Sequence, residues 1–216
     1  MKREKKKSNF YYKAHFVLAG FFRFLFRARA TGLENIPEGG CILCINHTQW
    51  MDPIVIGAVT RRQVHFMGKK ELFKIPLIGA LCRALGMISV DRGGADVSSV
   101  KRVISTCREG EIVGIFPQGH RFRGVNPADT PIRSGIGMMA HRAGVPVVPV
   151  CIKLHKQRYS IFHKTEVIFG QAMHYDQVIQ AEEHNMGTFR QASRAFFGAT
   201  CALGGYTPTN GEIVCK

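Results

Sequence analysis

The chain has 216 residues, 45% of them hydrophobic and 23 of them glycine, enough for one globular domain with a sizeable core and too apolar for a disordered chain. Thirty Lys and Arg against 15 Asp and Glu give a formal charge of +15, which favours an anionic partner, either nucleic acid or a lipid headgroup and phosphate-bearing substrate. The seven cysteines are odd in number and scattered through apolar segments; Cys41-x-x-Cys44 has no second ligand pair, so they read as small hydrophobes of a reduced, cytosolic protein, with no metal implied.

Residues 2–7 form a basic arm that introduces an aromatic segment, Phe10 to Phe26. Its longest run without a charged residue or His, Phe16 to Phe22, is seven residues, far short of the ~20 that span a bilayer. At roughly 100° per residue, Lys13, Arg23 and Arg27 share one helix face opposite Leu18, Phe21, Phe22 and Leu25, with Phe16 and Phe24 intruding on the cationic side. This predicts an amphipathic helix lying in an anionic membrane interface, so residues 1–30 are expected to be a membrane-associating segment. The alternative is a helix packed on the protein's own core. The basic start lacks the apolar core and small-residue cleavage site of a signal peptide.

Turn-rich Gly32 to Gly40 marks entry to a globular domain expected over residues 31–203. The run Cys41 to Ile45 reads as a buried strand, followed by a helix from Pro53 to about Val59 with Asp52 as its cap. A second strand is expected at Gln63 to Met67, a helix around Pro76 and Gly79, and a third strand at Leu85 to Val90 that ends in Asp91-Arg92-Gly93-Gly94. Residues 96–109 are helical by pattern, Ile112 to Phe116 is a short strand, and Ile132 to Arg142 a helix. Val145 to Val150 reads as a core strand interrupted by prolines, with a further strand near Glu166 to Phe169, a helix over 186–202 and a loose tail over 204–216. Strands separated by helices indicate an α/β fold, a mixed and mostly parallel sheet flanked by helices.

Between the first strand and the helix that follows lies Asn46-His47-Thr48-Gln49-Trp50-Met51-Asp52-Pro53. On a continuous α-helix His47 and Asp52 would sit roughly 140° apart, whereas a strand-to-helix turn can fold them together as a general base and its orienting carboxylate. The competing reading makes Asn46 and Asp52 turn and cap residues and His47 an ordinary surface imidazole.

Four segments in order resemble the glycerolipid acyltransferase family, specifically the 1-acyl-glycerol-3-phosphate (lysophosphatidic acid) acyltransferases. They are Asn46-His47 with Asp52 (N-H-x-x-x-x-D); Gly68-Lys69-Lys70-Glu71-Leu72 through Pro76, Gly79 and Gly86 to Arg92; Phe116-Pro117-Gln118-Gly119-His120-Arg121; and Val145 to Val150. The resemblance covers roughly residues 31–171 and implies a membrane-associated enzyme of phospholipid biosynthesis. It would move a fatty acyl group from acyl-CoA or acyl carrier protein to the sn-2 hydroxyl of lysophosphatidic acid, giving phosphatidic acid. His47 would be the base and Asp52 its orienter, with Lys69, Arg92, Gln118, Gly119 and Arg121 binding substrate; no cofactor beyond the acyl donor is expected. The implied place is the cytoplasmic face of the cell membrane, peripheral or monotopic. The third segment carries Gln118 where the family has Glu and His120 where it has Thr. Three other readings compete: another lyso-lipid acceptor, such as a lyso-ornithine lipid or a lysophospholipid; a catalytically dead relative; and a basic nucleic-acid-binding module. The last is disfavoured because the aromatics are concentrated at the start of the chain and not interleaved with Lys and Arg across a sheet.

Overall fold

The computed structural model describes residues 19–91, 96–155, 158–161 and 163–216. Residues 19–25 are helical (α1), and most of the expected membrane-associating segment, like Arg92, lies outside the described residues. A seven-stranded sheet follows, built from β1 (Ala28–Thr31), β2 (Cys41–Ile45), β3 (Val64–Lys69), β4 (Ile88–Val90), β5 (Ile112–Ile115), β6 (Val147–Leu154) and β7 (Thr165–Phe169). Its order is β1-β7-β6-β2-β5-β3-β4, and every neighbouring pair is parallel except β6 with β7.

The central strand shows why a sheet forms here. All five residues of Cys41–Ile45 are buried, as expected of a strand covered on both faces. Ile42 and Cys44 face one apolar cluster, which also holds Val103 and Cys107 of α4 (Val97–Arg108), Ile136 and Met139 of α5 (Gly135–Ala143), and Phe196 and Phe197 of α7 (Met186–Leu203). Cys41, Leu43 and Ile45 face the other, with Val55, Ile56 and Val59 of α2 (Asp52–Val59). Cys41 and Cys44 therefore point to opposite faces and cannot share a ligand. Burial pushes their thiols, and those of Cys107 and Cys151, up to about 12, so these sulfurs are inert packing groups.

Three local expectations need correction. The sheet begins at Ala28, inside the segment assigned to the N-terminal arm, because β1 pairs with β7 from Ala28 opposite Thr165. The third strand is shorter than Leu85 to Val90: α3 (Pro76–Ala84) is capped at Leu85, and Gly86 at φ 65° turns the chain before β4. The C-terminal tail is not loose. Ile132 and Lys216 exchange backbone bonds with Val214 and Ile132, and Ile213 and Cys215 are buried against the α7 side of the core. The last helix, α7, follows a single short turn, α6 (Tyr175–Val178).

Because β2, β5, β3 and β4 are mutually parallel, their C-terminal ends share one edge of the sheet. That edge carries, side by side, the His47 loop, the Phe116–Arg121 loop, Lys69 and Asp91. The antiparallel β6 and β7 bring the loop between them to the same edge, and β1 starts there too, directly after α1.

Candidate active site

The exit of β2 is fixed first. Asn46, 1% exposed, donates from Nδ2 to the Ile152 carbonyl (3.0 Å) and accepts from the Ile152 amide (2.7 Å), so its side chain extends the ladder to β6 by one rung. His47 then turns out of the sheet. Its Nδ1 lies 2.7 Å from Asp52 Oδ2, and the same oxygen accepts the backbone amides of Thr48 (2.8 Å) and Gln49 (2.9 Å). The other carboxylate oxygen accepts the Tyr159 hydroxyl at 2.7 Å. Asp52 has no solvent exposure, so these donors replace the water an ionised carboxylate would otherwise hold.

This network settles the His47 tautomer. A carboxylate surrounded by amide and hydroxyl donors has only acceptor capacity to offer, so Nδ1 carries the hydrogen and Nε2 keeps its lone pair. Nε2 makes no hydrogen bond among the described residues, and the side chain remains 15% exposed at the sheet edge. The ring stacks on Phe116, centroids 4.1 Å apart, which fixes its plane. The resulting group is a proton acceptor oriented by a buried anion.

The loop after β5 locks the other side of His47. Phe122 donates its amide to the His47 carbonyl (3.1 Å), and the His47 amide donates to Gln118 Oε1 (2.5 Å). Gln118 was expected to touch substrate; its amide is instead spent inside the protein, since Nε2 donates to Thr130 Oγ1 (2.7 Å) and the side chain is 4% exposed. Thr130 Oγ1 gives its own hydrogen to the Pro127 carbonyl (2.6 Å), so it can only accept from position 118. An amide supplies that N–H and a carboxylate does not, a physical reason for Gln where the family pattern has Glu.

Gly119 turns the loop at φ 68°, and a Cβ there would stand 3.2 Å from Arg133 Nε. Arg121 and Lys69 are exposed at the same edge, Lys69 as the last residue of β3 and Arg121 in the loop after β5, and His120 is exposed beside Arg121. The structure thus brings together His47, Asp52, Gln118 and Gly119 and places Lys69 and Arg121 on the adjoining strand ends. Sequence reasoning missed Tyr159 and Thr130, which lie far along the chain in segments without periodic pattern.

With that geometry in view, comparisons with known proteins are direct. The family model described as Acyltransferase matches residues 27–153. The chain is 34% identical over 145 residues to a 1-acyl-sn-glycerol-3-phosphate acyltransferase of Bacillus subtilis, covering 65% of this chain and 71% of that one. A protein of the same name from Borreliella burgdorferi is 32% identical over 126 residues, covering 56% of this chain and 49% of that one, so the chain spans about half its length. The crystal structure of the 1-acyl-sn-glycerophosphate (LPA) acyltransferase from Thermotoga maritima has the same fold, with a TM-score of 0.63 at 23% identity over 92% of this chain and 84% of that one.

Replacing Gln118 with Leu removes both ends of the lock and leaves the His47 amide and the Thr130 hydroxyl without their partner. The expected outcome is a loss of about 1–3 kcal/mol in urea unfolding together with reduced turnover; stability equal to the wild type would show that the amide holds nothing in place.

Proposed function

The chain belongs to the acyltransferase family, and from that premise we propose that it moves a fatty acyl group from a thioester to the sn-2 hydroxyl of lysophosphatidic acid, giving phosphatidic acid. The observation that carries this reading is the His47–Asp52 contact of 2.7 Å with Nε2 left open at a basic sheet edge. The naming of the Bacillus and Borreliella relatives supports the acceptor.

In the reaction, the acceptor hydroxyl approaches His47 Nε2. As its oxygen bonds to the thioester carbonyl carbon, the proton passes to Nε2, and Asp52 stabilises the imidazolium that forms. The carbon–sulfur bond then breaks, and the departing thiolate takes the proton back, returning neutral His47. The nucleophile is the substrate's own alcohol, so the route needs no covalent acyl-enzyme, in keeping with the inert cysteines. Lys69, Arg121 and Arg92 are the proposed phosphate contacts, the arginines by their planar fork and the lysine as a point charge. Gly119 serves by letting the loop turn tightly beside them. The acyl donor is acyl-CoA or acyl carrier protein, and the enzyme works at an anionic membrane surface on the cytoplasmic side. No helix among the described residues is long and apolar enough to cross a membrane.

Acyl transfer from a labelled thioester to lysophosphatidic acid tests the reading. His47→Ala is expected to lower turnover by about 10²–10⁴-fold with the fold intact by circular dichroism, and near-normal turnover in that variant would end the assignment. A panel of lyso-lipids with one donor tests the acceptor: the phosphate monoester is expected to be required, and equal use of phosphodiester or ornithine acceptors would move the assignment to another lyso-lipid.

A further inference from the structure

We propose that the outward face of α3, with the turn before it, docks onto an anionic lipid bilayer; this rests on the lipid-acyltransferase reading above. An ordinary surface helix turns its apolar stripe inward, and α3 does the reverse. Its buried residues are only Gly79 and Cys82, while Leu77 is 86% exposed, Leu81 54% and Ile78 43%, with Leu85 exposed at the helix end. At 100° per residue these four fall within about 100° of one another, roughly opposite Gly79. Gly79 lets the helix sit against its own preceding turn, since a Cβ there would meet the Phe73 carbonyl at 2.3 Å. Leu72 and Ile75 extend the exposed apolar surface into the Lys70–Lys74 turn.

The occupant follows from charge and position. Residues 69–85 carry Lys69, Lys70, Lys74 and Arg83 against one acid, Glu71; Lys70 lies 3.4 Å from Asp91 and Arg83 donates to the Phe73 carbonyl, and the segment that bears the exposed leucines keeps a net positive charge, as suits anionic headgroups over acyl chains. The turn leaves the C-terminal end of β3, the edge that carries His47. At the far end of the same edge, β1 follows α1, whose Phe21 and Phe24 are exposed beside a cleft lined by Arg23, Arg27, Arg29 and Lys164. Trp50, 60% exposed, stands between them on the His47 loop. Five strand spacings separate β1 from β3, about 24 Å, so two apolar, cationic footings flank the base and lay it against the lipid surface.

Vesicle cosedimentation of the full chain tests this, using phosphatidylcholine vesicles with and without phosphatidylglycerol. The double variant Leu77→Glu, Leu81→Glu is expected to partition at least roughly tenfold more weakly, while still acylating a short-chain acceptor held below its micelle concentration. Undiminished partitioning would overturn the docking face, as would a variant that changes only the oligomeric state by light scattering, which would give the face to a second copy. A wild type that docks through this face but leaves lysophosphatidic acid unacylated would overturn the underlying reading and not the docking.

The geometry also points to Tyr159 as a positioning residue for His47, independent of how the protein meets lipid. Its hydroxyl donates to Asp52 Oδ1 at 2.7 Å, opposite the oxygen that receives His47, and its ring packs on Phe26 just after α1, centroids 5.1 Å apart. Among the described residues the titratable side chains bonded to Asp52 are His47, from the loop after β2, and Tyr159, from the loop after β6; α2's own entry supplies the Thr48 and Gln49 amides. Burial, and then the adjacent Asp52 charge, hold the phenol well above its usual range, so it stays a donor at every pH at which the enzyme would work.

Tyr159→Phe keeps the ring and its packing on Phe26 and deletes only this donor. The Asp52 charge then concentrates towards His47 and stabilises the imidazolium, so Nε2 loses its proton at higher pH. The expected result is a roughly tenfold fall in kcat, little change in KM, and an acid limb of the kcat/KM profile moved to higher pH. An unmoved limb, whether turnover falls at every pH or stays at the wild-type level, would reduce Tyr159 to packing.

Discussion

A carboxylate with no exposure to water is the constraint around which the candidate catalytic edge is arranged. Taking such a charge out of solvent costs several kcal/mol, and Asp52 keeps it because four donors converge on its two oxygens. Hydrogen bonds to a charged group contribute about 1.5–3 kcal/mol each, enough together to offset the burial. Three of the four come from backbone or rigid neighbours, so the carboxylate has one orientation, and the fourth partner, His47, inherits it. Remove any donor and the balance changes at the imidazole, whose side chain stays 15% exposed at the sheet edge.

That local balance depends on the sheet. Asn46 pairs with Ile152 as though it were one more strand residue, so the turn to His47 starts from a fixed point of β2. β5, the immediate neighbour, returns Gln118 to the His47 amide and Phe122 to its carbonyl. Parallel pairing then sets the rest: strands that run alike must end alike, and the basic residues at the ends of β3 and β5 arrive at the same edge. The single reversal, β6 against β7, adds the Tyr159 loop and the entry of α1 to that edge.

Much of this was legible in the sequence because it is written locally. Cys41 to Ile45 is apolar at every position, as a doubly covered strand must be, and Asp52-Pro53 announces a helix start five residues after His47. The parts that were not legible are relations between distant segments. Tyr159 stands 107 residues from Asp52 in a loop with no periodicity, and nothing in its neighbours marks it. Gln118 looked like a substrate contact because its motif borders the site; only Thr130, whose hydrogen is already given to Pro127, shows that an inward amide is wanted. β1 was hidden because Ala28–Thr31 is short and half polar, an edge strand with one partner. The tail over 204–216 was read as loose, while Ile213 and Cys215 supply the apolar surface that binds it down.

The exposed leucines of α3 and the buried carboxylate belong to one problem. On the proposed function, a base that acts between a water-borne thioester and a bilayer lipid must face both phases, so it cannot sit in a closed cavity, and its orienting charge cannot be left to solvent. Burying Asp52 completely while leaving only the imidazole at the edge meets the second demand. The first is met outside the dyad, by apolar surface on both sides of it that water leaves uncovered. Such surface costs stability in water, since the same leucines turned inward would each contribute about 1.5–3 kcal/mol. Its persistence on a helix that buries little more than Gly79 and Cys82 is intelligible when the medium against that face is lipid, and the catalytic edge then becomes the boundary between the two solvents.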